Sequence, residues 1–177
     1  MGLCYYNLDQ RTRQLMRDEM NLDAAESRLF ISPYLSGQGV RDYPNLLLQA
    51  IESGDDDSLA EALSQQRRLL RSYTRRTPNH GYSIVTVPEN AAETLAEGEF
   101  NRYYIRALAR RAIDDGVAEL VVIRAKPVAE PRPESETVVE TLVNPGELLA
   151  DLRAHPGEHT GLGIPAGPGS TISVRLP

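Results

Sequence analysis

The sequence predicts an α+β protein, and three observations carry that expectation. Up to about residue 78, apolar residues recur among charges at mostly helical spacing. From Tyr82 onward, short β-rich runs alternate with helical ones. Between them lies Thr77-Pro78-Asn79-His80-Gly81, a cluster of turn-forming residues. The expected organisation is a helical unit over residues 1–78, followed by a mixed α/β domain over 79–177. The second part reads β-α-β-β-α-β, the split β-α-β or ferredoxin-like order.

The first helix is expected over residues 9–29, with Leu15, Met16, Met20, Leu22 and Leu29 on its apolar side and Asp9 as N-cap. Ser32-Pro33 and Ser36-Gly37-Gln38-Gly39 read as a loop. Pro44 suits the first turn of a short helix through Leu46, Leu47, Leu48 and Ile51, closed by Gly54. Asp55-Asp56-Asp57-Ser58 places acids at the start of the next helix, which runs through Leu59, Leu63, Leu69 and Leu70 to arginines at its end. Both charge biases suit the helix dipole.

In the second part, Tyr82–Val87 reads as a strand stopped by Pro88, and residues 90–115 as a long helix ended by Gly116. Glu119–Lys126 contains the buried-strand run Leu-Val-Val-Ile, and a proline-rich link follows at 127–133. Thr137–Val143 is a second β-branched run. Asn144-Pro145-Gly146-Glu147 offers an N-cap, an N1 proline and a capping glutamate for a helix to about Arg153. Glycine and proline dominate a loop over 156–169, and Thr171–Leu176 reads as a last strand.

Composition bounds the function classes. A chain of 177 residues buries a sufficient core without staples, and its single cysteine, Cys4, forms no internal disulfide. A reducing, cytoplasmic setting is expected. No apolar run approaches the roughly 18 residues of a membrane span. Met1-Gly2 begins a myristoylation pattern, but Tyr6 occupies the position that wants Ser or Thr.

Motifs that suggest catalysis fail on mechanism. His155-Pro156-Gly157-Glu158-His159 spells H-x-x-E-H, whose zinc chemistry needs both histidines on one helical face; Pro156-Gly157 oppose that helix. No carboxylate follows that could complete the site, so no metal is expected. The glycine run 161–169 leads into a strand and lacks the lysine of a phosphate loop. Its expected role is that of a contact segment. Glu134-Ser135-Glu136 lies beside prolines and reads as a solvated acidic turn. No nucleophile elbow is present, and Cys4 has no local base. Neither a catalytic residue nor a cofactor is expected.

Charge is the remaining signal. The formal net charge is -6, and of 19 basic residues only Lys126 is lysine. Five arginines fall in 67–76 and four in 102–111. Arg67, Arg68, Arg71, Arg75 and Arg76 have few acids nearby and are interleaved with Tyr73, then followed by His80 and Tyr82. On the long helix Arg102, Arg106 and Arg110 form a stripe beside an apolar one; Arg106 and Arg111 lack obvious partners on that helix. Arginine with aromatics suits protein hot spots and nucleic-acid grooves alike. The acidic remainder opposes a polyanion, and the expected central strands present valines where RNA readers stack aromatics. The expected function is therefore protein binding in a larger, possibly homo-oligomeric assembly, with a nucleic-acid module as the alternative and an enzyme ranked behind both.

Overall fold

A computed structural model describes residues 2–65, 67–76, 81–128, 133–157, 160–165, 167 and 169–177, with the side chains of 133–135 excepted. Its elements are α1 (Gln10–Ala25), α2 (Gly37–Ser53), α3 (Asp56–Ser64), β1 (Ser72–Arg76), β2 (Tyr82–Thr86), α4 (Ala91–Asp114), β3 (Leu120–Arg124), α5 (Pro133–Val138), β4 (Leu142–Val143), α6 (Pro145–Ala154) and β5 (Ile172–Arg175). The α+β class is as expected.

Local signals set most helix ends. Asp9 caps α1 by accepting from the Thr12 amide, and Asp55 caps α3 in a reciprocal capping box with Ser58. Asn144 accepts from the amides of Gly146 and Glu147, with Pro145 in the first turn of α6. One expected loop is instead a helix start. Ser36 caps α2 by accepting from the Gly39 amide, so Gly37-Gln38-Gly39 is helical and Pro44 falls inside the helix. Gly39 is required by close approach: a Cβ there would lie 2.1 Å from the Arg68 carbonyl oxygen.

Helix α4 is the central element. Phe100, Tyr104, Ile105, Leu108 and Ala109 have no solvent exposure, and α1, α3 and α6 pack around them. One hydrophobic cluster draws on Leu15, Leu47 and Leu63 from the first part and Phe100, Leu120, Leu152 and Val174 from the second. The expected division after residue 78 lies outside the described residues, and the stretches on its two sides share this core.

The sheet differs from the ferredoxin-like expectation. Strand order is β4-β3-β5, with both pairings antiparallel. β2 stands where the pattern wants a sheet strand, but it pairs with β1 in a separate two-stranded hairpin. The run 137–143 also divides. Pro133 starts α5, Glu140 turns at φ 65°, and only Leu142–Val143 is strand. Proline at a helix start and a left-handed turn outweigh the β-branched side chains here. Asn101 secures α4 to β5, donating to the Ile172 carbonyl at 2.8 Å and accepting from the Ser173 hydroxyl at 2.7 Å.

Asp56, at the start of α3, yields a pH prediction. It is 2% exposed and accepts from the Leu3 amide at 2.9 Å. Burial, opposed by that hydrogen bond, pushes its carboxyl from 3.8 up to about 6. Between those values the folded state holds a proton that the unfolded state has lost, so stability falls as pH rises through this window. Asp56→Asn keeps an acceptor for Leu3. It is expected to raise stability at pH 7 by about 1–2 kcal/mol and to flatten the slope of urea-derived stability between pH 4 and 6.

Candidate interaction surface

The five arginines of 67–76 do not lie on a helix. α3 ends at Ser64 because Gln65 is extended, and Arg67 then turns the chain at φ 56°. Arg68 is drawn inward: its Nε donates to Asp42 at 2.8 Å and its guanidinium to the Ala62 carbonyl at 2.6 Å, satisfying the end of α3. It is a structural staple. Segment 67–70 is fastened to 34–36 by Ser36 N–H to the Arg68 carbonyl and Leu70 N–H to the Tyr34 carbonyl, both at 2.8 Å. The chain then enters the β1–β2 hairpin.

Register fixes the two faces of the hairpin. Arg76 stands opposite Tyr82, Thr74 opposite Ile84 and Ser72 opposite Thr86, so these six share one face. All six are exposed, Tyr82 to 75% and Ile84 to 80%. The opposite face carries Tyr73, Arg75, Ser83 and Val85 and leans on the body through Tyr73, whose ring meets that of Tyr34 edge-on at 5.0 Å. A hydrogen bond with Tyr73, aided by partial burial, raises the Tyr34 hydroxyl pKa. Arg71 and Arg75 are exposed and have no ion-pair partner among the described residues. His80 lies outside the described residues.

The arginine stripe on α4 has a different fate. Arg106 is fully buried, donating from Nε to Glu19 at 2.9 Å and from its guanidinium to Asp23 at 2.5 Å. It also lies over the Tyr103 ring, 5.2 Å from the centroid. Burial pulls its pKa down, but Asp23 and Glu19 outweigh that and hold it charged. Arg110 and Arg153 reach Glu19 at 3.3 and 2.6 Å, and Arg111 reaches Asp9 at 2.6 Å. Arg102, 4% exposed, pairs with Glu99 and donates to the His155 carbonyl. The expected cationic face is thus a buried or half-buried seam between α4, α1 and α6, and it is withdrawn from partner contact. Acids on α1, invisible to a count along one helix, neutralise it.

The histidine motif falls only partly within the described residues. α6 ends at Ala154, His155 is its C-cap, and Gly157 follows at φ 70°, while Glu158 and His159 lie outside the described residues. The described part of the glycine-rich loop is pinned rather than loose: the amides of Gly161 and Leu162 donate to Asp151 at 2.9 and 2.8 Å, and Thr160 bonds to Ile164 and Pro165.

Sequence reasoning missed Ile84. Its alternation with Tyr82 and Thr86 was a strand signal, but a strand assigned to a central sheet is expected to bury such a residue. Among the described residues, no helix is long and apolar enough to cross a membrane. Comparison with family models, curated proteins and solved structures finds no match for this chain.

Proposed function

We propose that this chain is a non-enzymatic binding protein that joins a larger assembly through the β1–β2 hairpin, with a second copy of itself as the partner. The observation that carries this reading is the outward hairpin face, where Tyr82 and Ile84 are 75% and 80% exposed beside Arg76. Two-stranded hairpins are marginal alone, and an exposed, apolar strand pair is a ready surface for association. Charge selects the partner. Residues 62–88 hold five arginines and no carboxylate, so the other 14 basic and 25 acidic residues leave the rest of the chain at −11. A basic hairpin and an acidic body on one molecule suit head-to-tail contact between copies. A single cysteine suits a reducing, cytoplasmic compartment.

The test is Arg76→Gln with Tyr82→Ser, a cross-strand pair on the outward face. Both side chains are exposed, so the melting curve of the monomer is expected to move little. If each is a hot-spot anchor worth about 1–2 kcal/mol, association weakens by at least tenfold and light scattering reports smaller particles. The nucleic-acid alternative gives the reverse pattern: constant mass, with oligonucleotide affinity reduced and its salt slope flattened.

A further inference from the structure

A cavity of about 280 Å³ lies between the 30–34 segment, the first half of α4 and the loop after α6. Its volume falls near the lower end of ligand pockets. Phe30, Pro33, Leu95 and Pro165 give it apolar walls, and Glu99 and Arg102 stand at its polar side.

Two glycines shape it. Gly98, in the interior of α4, opens on the space: a Cβ there would meet nothing within 4 Å. Glycine inside a helix is less favourable than alanine. No close contact requires glycine at this position, and its missing side chain leaves the cavity open. Gly157, at φ 70°, lies so close to Phe30 that a Cβ would come within 1.8 Å of its ring. That contact seats the loop against the cavity wall.

The polar side is unbalanced. Glu99 is 4% exposed, and among the described residues its partner is Arg102, whose Nε stands at 3.3 Å. The Arg102 guanidinium also donates to the His155 carbonyl, so it does not serve Glu99 alone. Burial pushes the Glu99 carboxyl up; Arg102 and Arg106 oppose the shift and Asp23 reinforces it. The hydroxyl of Tyr43 is buried without a hydrogen-bond partner among the described residues, and it too feels the Glu99 charge. A carboxylate in this setting gains from one more cationic donor.

We infer that the cavity binds a small apolar amine, with its ammonium group donating to the Glu99 carboxylate and its apolar body lying between Phe30 and Leu95. Phenethylamine matches that chemistry, and 2-phenylethanol and 3-phenylpropionate are its neutral and anionic counterparts. Calorimetric titration of the full chain is expected to show saturable binding of the amine, at least tenfold tighter than the alcohol, with no binding of the acid. Gly98→Leu fills the open space and improves helix propensity, so it is expected to keep or raise the melting temperature while abolishing binding. Glu99→Gln keeps the shape and should weaken the amine at least tenfold. Tighter binding of the acid than of the amine, amine binding unchanged in Gly98→Leu, or no binding of any of the three probes would overturn the assignment.

Discussion

Replacing Arg106 with methionine is expected to lower folding stability by about 3–5 kcal/mol, because it leaves buried acids without their central cation. Glu19 and Asp23 are 1% and 2% exposed, and both sit against this guanidinium. Arg153 and Arg110 remain beside Glu19, and Arg28 and the Tyr103 hydroxyl beside Asp23, which places the loss below that of isolated buried charges. The deficit has a pH signature. Burial alone would raise the Glu19 carboxyl, but Arg153 and Arg106 together hold it below its ordinary 4.5. Its stabilising contribution is therefore present above that value and is lost as pH falls through the lower folded-state value. Urea titrations of the wild type and Arg106→Met should diverge at pH 7 and converge in acid. A constant gap at all pH values would mean that lost packing, and not charge, sets the effect.

Phe100→Ala is expected to cost a further independent 3–5 kcal/mol, roughly, the range for emptying a fully buried aromatic site. Phe100 has no exposure and packs against Tyr5, with ring centroids 5.1 Å apart. Its cluster takes side chains from residues on both sides of 77–80, so the loss should shift one unfolding transition seen alike by far-ultraviolet dichroism and tyrosine fluorescence. Two separated transitions, with only the later one displaced, would mean that the helical stretch holds itself together without α4.

Much of the fold was legible where local chemistry decides it. Asp9, Asp55 and Asn144 mark helix starts through hydrogen bonds within a few residues and Pro145 through its fixed φ, and all four do so in the structure. What stayed hidden depended on partners distant in sequence. Pairing of β2 with β1 is masked in the sequence because arginines after Leu70 suit the C-terminal end of a helix, and this hairpin removes the strand that the ferredoxin-like order needs. The burial of Arg106 had a readable trace. Glu19 and Asp23 are four apart on α1, as Arg102, Arg106 and Arg110 are on α4, and two complementary ladders of equal step fit antiparallel helices. Of the hairpin proposed to bind, Arg71, Tyr73, Arg75, Arg76 and Tyr82 were legible from composition, while the exposure of Ile84 followed only from the register.

The most direct test of hairpin-mediated association places a photo-crosslinking side chain at position 84, with a second variant carrying it at Leu142, which is 58% exposed on β4. Irradiation of the purified protein, followed by denaturing electrophoresis and peptide mapping, reads the outcome. The account predicts adducts of twice the chain mass from position 84, joined to an acidic surface of the second copy, and few from position 142. Chains that remain monomeric from position 84, or that crosslink equally from both positions, would contradict it.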